Sequence, residues 1–260
     1  MTSVLDAIIQ GVKEDLDVRK TSVSLDELKA LVDEVPLALP AADLLLKNSF
    51  SVISEVKRAS PSKGHLSDIP DPALLALEYQ TGGAQVISVL TEERRFKGTL
   101  ADLTAVRAKV TIPVLRKDFM VDEYQFFEAR AYGADMVLLI VAALAKSQLR
   151  DFYDLATELG MAALIEVHTG DELERAMEIS PRIVGVNSRN LRTLDVDPAA
   201  FADLIPRIPQ DVIRVAESGI SQRSDVEFAQ RQGADAILVG EALVTSADQN
   251  LAMRTLLGQG

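Results

Sequence analysis

The sequence predicts a closed (β/α)8 barrel, and three observations carry that prediction. Eight short runs rich in Val, Ile and Leu recur along the chain, each followed by a polar loop and a helical stretch. The runs are apolar at nearly every position, as strands covered by helices on both faces are. The chain has 260 residues, and one barrel of this kind takes roughly 250.

The elements can be justified in order. Leu5, Ile8, Ile9, Val12 and Leu16 recur at helical spacing, which predicts an amphipathic first helix. A second helix is expected to open at Ser24 or Asp26. Residues 1–50 therefore read as an N-terminal helical extension packed against the barrel or over its mouth, and 51–260 as the barrel units. Strands are expected at 51–57, 84–91, 112–119, 135–141, 162–168, 182–189, 212–218 and 236–241. Between them, Asp71-Pro72 opens a helix that closes at Gly82-Gly83, Asp122 opens one that ends at Gly133, and Ser221 opens one that ends at Gly233. No linker rich in Gly, Pro or Ser interrupts the series, so 1–260 reads as one domain, with no fused second enzyme.

Composition removes several function classes. The formal charge is -12 and the isoelectric point is near 4.7, a surface that repels nucleic acid and anionic lipid. No apolar run approaches the roughly 20 residues needed to cross a bilayer. The N-terminus lacks a basic segment and is interrupted by Asp6, unlike a signal peptide. The absence of cysteine removes disulfides, thiolate metal sites and cysteine nucleophiles, and suits a cytoplasmic location. With only His65 and His168 as imidazole donors, no metal is expected.

Charged side chains in strands buried on both faces point to chemistry. Alternation puts Ile53, Glu55 and Lys57 on one face of the first strand, with Val52 and Val56 opposite. The same rule groups Leu115, Lys117 and Phe119; Leu164, Glu166 and His168; Gly185, Asn187 and Arg189; and Val215 with Glu217. Every polar member falls at the C-terminal end of its strand, where barrels carry their chemistry. A structural ion-pair layer could explain any one of them, but not convergence of the set on one mouth. A lysine desolvated among apolar neighbours is expected to hold its proton loosely and act as an acid. A glutamate beside it can act as base. Asn187 can hold an oxyanion or hydroxyl, and Arg189 offers a planar fork for a carboxylate. A Schiff base on a barrel lysine stays open at this point.

The loops after the last two strands supply an anion cradle. Ser218-Gly219-Ile220-Ser221 follows the seventh and Val239-Gly240-Glu241-Ala242 the eighth, the usual phosphate position in such barrels. Glycine lets backbone N–H groups approach the anion. Glu241 fits poorly beside a phosphate and is expected to offer only its backbone, with its side chain turned to solvent. The loop Arg58–Gly64 could supply a third set of donors or a lid.

Five stretches resemble the indole-3-glycerol-phosphate synthase family: Glu55–Gly64, Leu115–Phe119, Ile165–His168, Val186–Leu191 and Ala216–Ile220, in that family's order. The resemblance runs from the N-terminal helices to the last strand. It implies closure of 1-(2-carboxyphenylamino)-1-deoxyribulose 5-phosphate into an indole, with loss of carbon dioxide and water. Lys117 would then protonate the ketone oxygen, and Lys57 would pair with the anthranilate carboxylate and supply a proton during dehydration. Glu166 and Glu55 are the candidate bases. Asn187 and Glu217 would orient hydroxyls and lysines; Ser60 and Arg189 would hold the carboxylate, and Phe119 would pack on the ring. Ser218, Gly219, Gly240 and Glu241 would grip the phosphate. Glu241 is the one departure from the family pattern, which has Ser there. The family needs no cofactor, and the small phosphorylated substrate is the one partner expected of a monomer or weak homo-oligomer. Alternatives are a phosphosugar isomerase, a Schiff-base aldolase or a non-catalytic phosphate-binding barrel; the last has no use for buried lysines and glutamates that cost stability.

Overall fold

Eight parallel strands close on themselves in sequence order in the computed structural model: β1 (Ser51–Val56), β2 (Val86–Leu90), β3 (Val114–Lys117), β4 (Met136–Ile140), β5 (Ala162–Val167), β6 (Ile183–Asn187), β7 (Ile213–Glu217) and β8 (Ala236–Val239). The structure describes residues 3–47 and 50–259. Met1, Thr2, Asn48, Ser49 and Gly260, which fall within the expected extension and barrel ranges, lie outside the described residues. The strands are shorter than the apolar runs. Lys57, Phe119, His168, Arg189, Ser218 and Glu241 therefore sit just past strand ends, on the rim.

Register stacks the inward side chains in layers. Ile53 faces Val86 on one side and Leu238 on the other, and Leu115 faces Met136. These residues with Leu164, Ile213 and Val215 fill the lower barrel. A separate apolar layer joins the outward residues, such as Val52, Ile87, Val137 and Ile165, to the surrounding helices.

The extension closes both ends. Helix α1 (Val4–Ser22) starts at a Ser3–Asp6 capping box, and α2 (Leu25–Glu34) starts at Ser24 through a second one with Glu27. These boxes satisfy N–H groups that a helix start leaves free. Leu5, Ile8 and Val12 of α1 pack with the inward residues at the mouth, and α3 (Ala41–Leu46) lies beneath β1, where the Ser51 hydroxyl donates to the Leu45 carbonyl at 2.7 Å.

The helices around the barrel follow the expected punctuation with small shifts. Asp71 caps α4 (Pro72–Thr81). Helix α5 (Leu100–Lys109) follows, then α6 (Tyr124–Ala131), two residues after Asp122, whose carboxylate accepts the Tyr124 N–H. Then come α7 (Lys146–Glu158), α8 (Gly170–Met177) and α9 (Ala199–Leu204). Helix α10 (Arg223–Arg231) begins after Gln222, because Ser221 spends its hydroxyl on Asp225 instead of capping. The chain continues through α11 (Glu241–Val244) and α12 (Gln249–Leu257). The loop after β1 is a short hairpin, Ala59–Ser60 pairing antiparallel with Gly64–His65. Among the described residues, no helix is long and apolar enough to cross a membrane.

Buried charge also occurs away from the mouth, and Arg116 places it on a strand. Arg116 points outward from β3 and is fully buried, with Nη2 2.8 Å from Glu128 and 3.0 Å from Asp118. Glu128 also takes Arg19 of α1 at 2.8 Å. This corrects the expectation that a doubly covered strand has no structural use for charge. The pairing tethers the extension to β3, and removing one partner of a buried pair costs about 3–5 kcal/mol.

Candidate active site

Every candidate residue lines one cavity of about 620 Å3 at the C-terminal mouth of the barrel, a volume suited to a small ligand. Parallel register brings residues distant in sequence level with one another. Lys117 pairs with Leu90, Glu166 with Ile140 and Gly185, and Asn187 with Glu217. Lys117 Nζ stands 3.5 Å from Glu217, 3.6 Å from Glu166 and 3.9 Å from Glu55. Lys57 Nζ lies 2.6 Å from the other oxygen of Glu55. Gly185 leaves the space Glu217 occupies, since a Cβ there would overlap the Glu217 carboxylate. The Asn187 side-chain oxygen accepts the Arg189 N–H at 2.9 Å, and its amide nitrogen is turned towards Glu166.

The electrostatics correct one expectation. Burial alone pulls the Lys117 ammonium down, but Glu166, Glu217 and Glu55 outweigh it and hold Lys117 above the ordinary lysine range. Lys117 is therefore a fully charged donor, not a loosely held one. Burial likewise pushes Glu166 up, yet Lys117 and His168 win and keep it below the usual carboxylate range. Glu217 goes the other way: burial, then the Glu166 charge, push it up to about 8 against Lys117. Two carboxyls thus share one lysine, one ionised and one neutral at neutral pH, the pattern that separates base from donor.

Glu217 makes a stability prediction. A carboxyl whose folded value exceeds its unfolded one contributes stability that is complete below the unfolded value and lost as pH rises through the folded value. Glu217→Gln should therefore gain in Tm over the unaltered chain as pH rises from about 5 to about 8. Thermal melts across that range check it; a constant difference would contradict the assignment.

The opposite wall is backbone. Ser218 (φ 66) and Gly219 (φ 70) are consecutive left-handed residues, strained for serine and free for glycine, the kind of turn that aims N–H groups into a concavity. Gly240 lies close to β1: a Cβ there would sit 2.6 Å from Glu55 Oε1. Glu241 is the first residue of α11, with a part-exposed carboxylate 3.9 Å from Lys63 Nζ. Ser60 accepts the Lys63 backbone N–H at 3.3 Å, and Arg189 donates to the Leu194 carbonyl at 3.1 Å.

Other cavity residues were not legible in the sequence. Ile8 descends from α1, Phe96 comes from the loop after β2, and Leu191, Leu194 and Val196 come from the loop after β6. Phe96 and Phe119 form a tilted pair with centroids 6.1 Å apart. The buried Glu92 carboxylate holds Phe96 in place by accepting its N–H at 2.9 Å and that of Arg95 at 2.7 Å. A buried glutamate just beyond Leu90 was the available signal.

The family model for indole-3-glycerol phosphate synthase matches residues 5–256. A curated indole-3-glycerol phosphate synthase of Kineococcus radiotolerans is 55% identical over 263 residues, covering 99% of this chain and 96% of its own. That of Rhodococcus opacus is 54% identical over 258 residues, with the same coverage, and that of Mycobacterium tuberculosis is 53% identical, covering 99% and 95%. Solved structures share the fold at low identity: a 3-hexulose-6-phosphate synthase (TM-score 0.64, 17% identity, 81% of this chain and 99% of that one) and a chain of the tryptophan synthase complex from Pyrococcus furiosus (0.61, 18%, 80% and 98%). With the whole length matched and this barrel mouth in place, the chain belongs to the indole-3-glycerol phosphate synthase family.

Proposed function

We propose that the cavity closes 1-(2-carboxyphenylamino)-1-deoxyribulose 5-phosphate into indole-3-glycerol phosphate, as a decarboxylating lyase of tryptophan biosynthesis. The observation that carries this is Lys117 Nζ within 4 Å of carboxylates from three strands, in the same cavity as the Ser218-Gly219 and Gly240 turns. The phosphate docks on the backbone of Ser218, Gly219, Gly240 and Glu241, and the anthranilate ring packs on Phe119 beside Phe96. Lys57, Ser60 and Arg189 hold its carboxylate.

The carboxyl-bearing ring carbon attacks the ketone carbon while Lys117 gives a proton to the ketone oxygen. That oxygen becomes an alkoxide far more basic than an amine, so even a strongly held proton moves downhill. Carbon dioxide then leaves the ring carbon and restores aromaticity. Lys57 protonates the departing hydroxyl, and Glu166 removes a proton from the methylene beside nitrogen, giving water and the indole double bond. Glu166 is a better base than Glu55, whose oxygen is tied to Lys57 at 2.6 Å. Asn187 and neutral Glu217 orient the hydroxyls. A Schiff base requires a neutral amine, which the Glu166 and Glu55 carboxylates deny Lys117. The extension and barrel units act as one domain, because α1 supplies Ile8 to the cavity. A cytoplasmic setting fits a biosynthetic enzyme acting on a small phosphorylated substrate.

Incubating the purified protein with that substrate should produce indole fluorescence and an equivalent of carbon dioxide. Unchanged substrate would overturn the reading.

A further inference from the structure

His168 lies just past β5, two residues beyond Glu166, and the chemistry above leaves it without a task. Its buried ring sits between two carboxylates, Nδ1 3.1 Å from Glu172 Oε2 and Nε2 3.4 Å from Glu166 Oε1. Only the Nδ1 contact is a hydrogen bond; Glu166 Oε1 faces Nε2 as a close buried charge. A ring flanked by two anions with little water around it is favoured in the imidazolium form. Glu172 is itself fixed: the same oxygen accepts the His168 backbone N–H at 2.7 Å, and its own N–H is held by the Thr169 cap of α8.

The charges around the ring agree. Glu166 faces it from β5 and Glu172 from α8; Lys117 from β3 acts across Glu166, and Arg175 of α8 is committed to the Leu144 carbonyl at 2.7 Å. Burial pulls the imidazole down, but the two glutamates lift it to about 10.

We propose that His168, held as an imidazolium by Glu172, is a positioning residue that fixes Glu166 and keeps its carboxylate ionised, with Oε2 left to face Lys117. The inference rests on Glu166 being the base. It gives the Glu172–His168–Glu166 line a role in setting the base's orientation and charge from behind.

The chain has two histidines, so ring nitrogen NMR of the whole protein, with His65→Gln for assignment, reads His168 directly. His168 should remain an imidazolium at about pH 8, and Glu172→Gln should lower its titration. A neutral ring at that pH in the folded protein overturns the proposal. In kinetics, His168→Gln should lower kcat about tenfold with little change in KM, and its acidic limb should move to higher pH as Glu166 loses its cation. If that variant does not fold, Glu172→Gln serves, since its amide still accepts the His168 N–H; its acidic limb should move the same way. An active unaltered chain beside variants with unchanged pH profiles overturns the positioning role alone. An inactive unaltered chain overturns the base assignment beneath it.

Discussion

Lys117→Ala all but stops turnover, lowering it about a thousandfold, while the barrel stays folded. Lys117 is the donor that neutralises the developing alkoxide, and general acid catalysis is worth about 10²–10⁴-fold. The expected loss in kcat is about a thousandfold, or about 4 kcal/mol of transition-state stabilisation. The fold survives because the side chain ends in the cavity, away from the apolar layers below, and the remaining carboxyls can take up a proton. KM should change little, since the ketone oxygen contributes little to ground-state binding. Lys117→Arg should be nearly as inactive: guanidinium keeps the charge but does not release a proton. Steady-state kinetics with a circular dichroism spectrum checks both. An active Lys117→Ala would remove the acid assignment.

Ser218→Glu raises KM strongly with a smaller effect on kcat. Ser218 already occupies a left-handed conformation (φ 66), so another non-glycine residue adds little backbone strain. The change is mainly one of charge beside the proposed phosphate. Two unit charges 4 Å apart repel by about 4 kcal/mol at an effective dielectric of 20. A glutamate can swing partly to solvent, so about 2 kcal/mol, or about thirtyfold in KM, is the expected net effect. Ser218→Gln, similar in size and neutral, should move KM much less. Equal effects of the two variants would point to crowding, and unchanged KM in both would dissolve the phosphate assignment.

The fold was legible because eight apolar runs separated by loops and helices have few other ways to bury both faces. Alternation then placed Glu55, Lys117, Glu166, Asn187 and Glu217 inside, and the rule locating chemistry at strand ends placed them at one mouth. What escaped depended on distances between remote segments. The strengthened ammonium of Lys117 follows from three glutamates on strands β1, β5 and β7, each within 4 Å, which no local pattern encodes. Arg116 was obscured because its partner Glu128 lies on another element. Ile8, Phe96 and Leu194 reach the cavity only through the packing of α1 and two long loops. The Glu172 contact with His168 spans four residues, but it has meaning only once Glu166 is seen on the other nitrogen.

The central claim is that one cavity holds a phosphate at the β7 and β8 turns and a ketone oxygen at Lys117. A crystal structure with a substrate analogue whose ketone is reduced to an alcohol tests it most directly. The phosphate oxygens should lie about 3 Å from the Gly219 and Gly240 N–H groups, and the alcohol oxygen about 3 Å from Lys117 Nζ. A phosphate bound away from those turns, or a reacting carbon out of reach of Lys117, would contradict it.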